Sequence, residues 1–137
     1  MGNSIGSAPL PRFLKQLLTE VEPHDFVIEG NCVRIRLRKN LGSLLDERGL
    51  VHGTSIASLS IAAAEIAIST LSEESRFIAM NTFISFVHQV TEPSSVDIEA
   101  CIEIRTSIHA VVEVSIVADG IEVAKSNTLF LKLEGSA

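Results

Sequence analysis

Apolar residues recur along this chain in two rhythms. Phe13, Leu14, Leu17, Leu18 and Val21 fall at helical spacing after Pro11 and stop at Pro23, which predicts an amphipathic helix. From Phe26 the period becomes two. Phe26 and Ile28 alternate with Val27 and Glu29, Gly30-Asn31 supplies a turn, and Val33, Ile35 and Leu37 then face away from Arg34, Arg36 and Arg38, as in a hairpin. Thr54 to Leu71 is too long and too rich in Ala, Leu and Ile for a strand, and predicts a helix apolar around most of its circumference. Its one polar stripe is Ser55, Ser58, Glu65 and Ser69. After Ser75 the pattern is strand throughout: 77–90, then Val96, Ile98, Ala100, Ile102 and Ile104 in alternation, then 110–118 and 121–133 around an Asp119-Gly120 turn.

Helix, two strands, loop, long buried helix and about four strands make an α+β chain. An antiparallel sheet of five to six strands wrapped round one long central helix buries both apolar surfaces. Residues 1–9 read as a flexible tail and 10–137 as one domain, a size that suits 137 residues. A sheet of this kind has edges to protect, so a homodimer is expected.

Composition narrows the chemistry. The net charge of −6 argues against a nucleic-acid surface, and no Trp or Tyr is available for stacking on bases. No wholly apolar run reaches the ~18 residues of a membrane span and no basic-then-apolar leader opens the chain, so neither membrane nor export is expected. Cys32 and Cys101 lack CxxC spacing and a surrounding His cluster; they read as reduced cysteines of a cytoplasmic protein, neither metal ligands nor a disulfide. No paired ligand spacing predicts a metal, and no cofactor is expected.

The junction Asp46-Glu47-Arg48-Gly49-Leu50-Val51-His52-Gly53-Thr54 resembles the active-site segment of hotdog-fold acyl-CoA thioesterases of the PaaI-like, phenylacetate-pathway type, in which an Asn, a Gly and then His-Gly-Gly lead into the central helix. The likeness includes the element order and the strand from Asn81 towards Pro93, and so spans roughly residues 24–133. It implies a hotdog fold and an acyl-CoA or acyl-carrier thioester as substrate. It also implies a homo-oligomer, either a dimer or a dimer of dimers. Two positions depart from the pattern: Thr54 stands where the family has a second Gly, and Ile61 falls where the family's helix carries its acid.

The residues themselves support such chemistry. A thioester carbonyl becomes an oxyanion on attack, and the backbone amides at a helix N-terminus suit it, here those of Gly53 and Thr54. Gly53 permits close backbone approach, and His52 can orient a carbonyl or water. Ile61 can neither take a proton nor attack, which leaves Glu65, one turn further, and Asp46 as candidate bases. Arg48 is the candidate contact for the coenzyme's phosphates, Ile61 lines the acyl path, and His88 ends a strand near the expected cleft. The row Arg34, Arg36 and Arg38 reads as cross-strand partners of Asp97, Glu99 and Glu103. His24 and His109 form no constellation.

Three functions fit. The first is thioester hydrolysis, with His52 and Glu65 or Asp46 as the working groups. The second is a non-catalytic acyl-CoA or acyl-carrier binding module that has lost the acid, as Ile61 suggests. The third is a structural or regulatory subunit. The hydratase branch of the same fold fits less well, since no Pro introduces the helix and Glu65 follows Gly53 at a distance.

Overall fold

The computed structural model describes residues 19–51, 53–71 and 77–133. The period-two segments form six strands: β1 (Phe26–Glu29), β2 (Cys32–Leu37), β3 (Phe77–Phe86), β4 (Val96–Arg105), β5 (His109–Ala118) and β6 (Ile121–Lys132). One long helix, α1 (Gly53–Leu71), lies between β2 and β3 in sequence. The strands make a single sheet in the order β1-β2-β4-β5-β6-β3, antiparallel at every pairing. The helix expected after Pro11 and the tail of residues 1–9 lie outside the described residues, except for the helix's last positions from Thr19.

Alternation sorts the two faces of the sheet as the sequence pattern predicts. Val33, Ile35 and Leu37 of β2, Val96, Ile98 and Ala100 of β4, and Ala110, Val112, Val114 and Ile116 of β5 point inward and are buried. They pack with Ile56, Leu59, Ala62, Ala63, Ile66 and Ala67 of α1 in one core. The small Ala side chains let the helix lie close against the sheet at interior packing density. By length and composition α1 could cross a membrane, with a mean hydropathy of 1.5, but here its buried side packs against the sheet.

Both tight turns adopt the backbone their residues favour. Gly30 has φ +61°, and Asp119 and Gly120 have φ +50° and +81°. On the outer face the arginine row meets its acids across β2 and β4. Arg34 stands opposite Glu99 and Arg36 opposite Asp97, each joined by a side-chain hydrogen bond. Arg38 grips Asp25 instead, with two bonds of 2.8 and 3.1 Å, because the 3-10 turn Pro23–Asp25 brings that buried carboxylate beside it. Among the described residues Glu103 gains no such arginine: the β2 ladder ends at Cys32 opposite Cys101, and β4 bulges just beyond.

That last pair overturns the expectation of two reduced cysteines. Cys32 and Cys101 are direct cross-strand neighbours, with Cα atoms 4.0 Å apart, and are joined as a disulfide. Sequence spacing of 69 residues hid them, and adjacency in the sheet brings them together. The expected cytoplasmic location loses the support it drew from reduced thiols, because disulfides persist mainly in oxidising compartments.

β3 is shorter than the expected 77–90. Beyond Phe86 the chain makes one further backbone bond to the β6 side, from Val87 N to Val123 O at 2.8 Å, and then turns to the loop before α1. There Val51 N bonds Val90 O at 3.2 Å, Leu50 bridges Thr91, and Glu92 N bonds Gly49 O at 2.8 Å. The remaining edge of β3 carries exposed apolar side chains, among them Met80 (58% exposed), Phe83 (70%) and Phe86 (58%).

Candidate active site

The loop that introduces α1 is closed on itself. Asp46 N bonds Leu50 O at 2.8 Å, Gly49 N bonds Asp46 O at 3.0 Å, and Leu45 bridges Val51. Gly49 has φ +81°, and a Cβ there would lie 3.1 Å from Cγ of Glu92, so the turn calls for glycine on both counts. The Asp46 carboxylate holds this loop together. Its Oδ1 accepts from Arg48 N (2.8 Å) and Leu50 N (3.1 Å), and its Oδ2 accepts from Arg48 Nη2 (2.8 Å) and Nε (3.2 Å). The Arg48 guanidinium, helped by those amides, holds the Asp46 carboxyl below the usual carboxylate range. An acid so engaged is a weak base, and both its oxygens are occupied.

Gly53 opens α1 and is exposed, as is Thr54 after it. A Cβ on Gly53 would lie 3.8 Å from the Phe86 ring, so the end of β3 stands against the start of the helix. Beside Gly53 is an open cavity of about 380 Å³, lined by Asp46, Glu47, Arg48, Leu50, Val51, Gly53 and Gln89. The first turn of a helix presents amides without intrahelical acceptors, together with the positive end of the helix dipole. This cavity therefore meets a surface suited to a developing oxyanion. His52 lies outside the described residues.

Glu65 stands elsewhere on the same helix. It is half-buried, and among the described residues it has no hydrogen-bond or ion-pair partner. Burial alone pushes its carboxyl above the ordinary value of 4.5. Ile61, also half-buried, precedes it by one turn on the less covered side of α1. The structure thus brings Asp46, Arg48 and Gly53 round one cavity and leaves Glu65 and Ile61 on later turns. His88 is exposed, with Nδ1 3.1 Å from Glu122 O, and does not line the cavity. Its neighbours do more: Gln89 lines the cavity and Phe86 packs at Gly53. Neither could be picked out by residue type. Phe86 reaches the helix as the last residue of β3, and Gln89 reaches the cavity because the chain leaves β6 beyond it.

A larger hollow of about 520 Å³ lies on the outer face of the sheet, lined by Arg34, Arg36, Arg38, Asp25, Asp97 and Glu99 among others. Each of these arginines is already paired with a carboxylate. The hollow contains neither the start of α1 nor its candidate acid, so its greater size does not make it the site.

No family model matches the chain, and no curated protein matches it by sequence. Solved structures do match it in three dimensions. Thioesterase superfamily member 2 of zebrafish superposes with a TM-score of 0.75 at 16% identity, covering 95% of this chain and 91% of that one. A hypothetical thioesterase of Streptococcus pneumoniae TIGR4, solved with coenzyme A, gives 0.72 at 14% identity, covering 86% and 89%. The chain has the hotdog fold. The E. coli PaaI protein of the phenylacetic acid degradation operon shares it too, with a TM-score of 0.66 at 16% identity over 79% of this chain and 82% of its own. The six-stranded hotdog sheet and its central helix are thus those implied by the segment from Asp46 to Thr54.

Proposed function

We propose that this hotdog protein binds acyl-CoA thioesters and hydrolyses them at the N-terminus of α1. The observation that carries the reading is the cavity opening onto Gly53 where the central helix begins. A thioester oxygen seated there faces the first amide of the helix, that of Gly53. Glu65 is the base: it takes a proton from the attacking water, the water oxygen bonds to the carbonyl carbon, the carbon–sulfur bond breaks, and Glu65 returns the proton to the departing sulfur to release the thiol. Its raised pKa and lack of a competing partner suit it to that role better than Asp46, which maintains the loop. His52 orients substrate or water, and the exposed Arg48 uses its remaining donors on the coenzyme's phosphates. The coenzyme A in the S. pneumoniae structure supports this choice of substrate class.

Within one chain the two halves of the machinery are too far apart. A second copy resolves this. β3 starts just after α1 ends and finishes beside Gly53, so strand and helix run in opposite directions. Pairing two β3 edges about a two-fold axis covers the exposed Met80, Phe83 and Phe86. It also lays the start of one α1 along the later turns of the other. The active unit is then a dimer, alone or within a dimer of dimers, with the acyl chain beside Ile61 between subunits.

The resemblance also supports a binding-only reading: counted from Gly53, the helix position for which it implies an acid falls on Ile61. Purified protein assayed against short, long and aromatic acyl-CoAs separates the two. Turnover that is lost in Glu65→Gln while acyl-CoA binding persists supports hydrolysis, and saturable binding without turnover in any acyl class supports the module.

A further inference from the structure

The outer face of the sheet carries a group of side chains that thioester chemistry leaves unused. Cys32 and Cys101 face each other across β2 and β4 and are both half-buried. Glu99 sits two residues before Cys101, on the same face. The two sulfur atoms and a Glu99 carboxylate oxygen all lie within 4.8 Å of one another. Glu99 Oε2 is held by Arg34 Nε at 2.8 Å, which fixes the carboxylate beside the sulfurs and leaves Oε1 open. On the far side Glu113 of β5 is the register partner of Cys101 and shares the outer face. Two cysteines on a rigid ladder, with an acid fixed beside them, match the sulfur and oxygen donors that zinc accepts. As a disulfide the pair cannot bind a metal, because the thiolate is the ligand.

We propose that Cys32, Cys101 and Glu99 form a redox-gated seat for a thiophilic divalent cation such as Zn²⁺, closed when the disulfide is intact and opened by a dithiol reductant. The opening step is thiol–disulfide exchange. One dithiol gives two electrons and two protons to the Cys32–Cys101 bond, leaving two thiols and a cyclic disulfide of the reductant. Binding then joins the cation to both sulfurs and releases their two protons to solvent, with Glu99 as third ligand and water as fourth. A small side-chain rotation parts the sulfurs to ligating distance while the ladder keeps both Cα atoms in place. This seat is on the outer face of the sheet, and its occupancy is measured without any acyl substrate.

The test uses Co²⁺ as a spectroscopic probe and Zn²⁺ as its competitor. The protein is reduced with dithiothreitol, freed of reductant without oxygen, and titrated with Co²⁺. The proposal expects a sulfur-to-cobalt charge-transfer band that saturates at one ion per chain and that Zn²⁺ removes, with no band in the oxidised protein. Cys32→Ser and Cys101→Ser each abolish the band. Glu99→Gln, which keeps both thiols and avoids any doubt about folding of the cysteine variants, weakens binding by at least about tenfold. The proposal is overturned by a reduced protein with no band, by a disulfide that dithiothreitol leaves intact in the folded chain, by a band that survives in either serine variant, or by Glu99→Gln binding as tightly as the parent.

Discussion

Gly53 and Glu65 belong to one uninterrupted helix and stand twelve residues apart on it, which separates them by about 18 Å along its axis. No side chain spans that length, so a thioester polarised at Gly53 is out of reach of its own chain's Glu65. Catalysis by this pair therefore requires two copies of the chain. The requirement comes from helix geometry and not from any property of the acid.

Replacing Glu65 tests its role in two independent ways. Glu65→Gln should lower kcat by at least about a hundredfold, within the range usual for a lost general base, with little change in acyl-CoA affinity. In the parent protein the rate should fall on the acid side as pH drops through the raised pKa of Glu65, at a higher pH than a solvated glutamate would give. The stability consequence has a definite sign. The folded chain holds this proton more tightly than the unfolded one, so the group favours folding below the ordinary value of 4.5, and that contribution is lost as pH rises through the folded pKa. Glu65→Gln should therefore melt higher than the parent at neutral pH, and the difference should disappear at acid pH. Equal melting curves at both pH values would contradict burial as the cause of the shift.

Two glycines a few residues apart should respond in opposite ways. Gly49→Ala places a side chain at φ +81° and against Glu92, and should cost about 1–2 kcal/mol of stability. Gly53→Ala meets only the Phe86 ring at 3.8 Å, an ordinary contact, so stability should change by less than about 1 kcal/mol. Yet its methyl group adds bulk at the mouth of the cavity, and turnover should fall at least about tenfold, given that misplacements near 1 Å cost about a hundredfold. Thermal melts and kcat/KM on the same two proteins check the pair of outcomes.

The exposed edge of β3 gives a third expectation. Phe83 is 70% exposed there, more than any other large apolar side chain among the described residues. Phe83→Glu should turn a dimer into a monomer by light scattering and remove turnover with it, while the far-ultraviolet circular dichroism stays that of the parent. A variant that remains dimeric would place the interface elsewhere.

Most of the fold is legible in the alternation of side chains, because β2, β4 and β5 each turn one face into the core. That arginines of β2 meet acids of β4 is legible too, but charge alone does not choose the register: Glu99 and Asp97 are the partners of Arg34 and Arg36, and the expected Glu103 is not. The disulfide follows from the same ladder. Two residues back from Arg34 is Cys32, and two residues on from Glu99 is Cys101. Spacing along the chain gives no hint of this pair, whereas the ladder carried one step further locates it. The role of Asp46 was less accessible. Its two amide bonds depend on the positive φ of Gly49 and the closure of Asp46 onto Leu50, which residue types alone do not specify.

The disulfide closes a loop of 69 residues, for which the chain-entropy relation gives a stabilisation of about 4 kcal/mol. Reduction should lower the denaturation midpoint correspondingly, and Cys32→Ala with Cys101→Ala should reproduce the reduced value. Denaturant titrations of the oxidised, reduced and doubly substituted proteins measure it. Identical midpoints would mean that the two cysteines are not bonded in the folded protein.

The central claim, that Gly53 of one subunit works with Glu65 of the other, is tested most directly by complementation. Inactive Gly53→Val and inactive Glu65→Gln proteins are unfolded together, refolded as a mixture and assayed. In a mixed dimer one site then combines both substitutions and the other has neither. With half of the dimers mixed, the account predicts recovery of about one quarter of the parent activity. A mixture no more active than its two components would show that the pair does not act across a subunit interface.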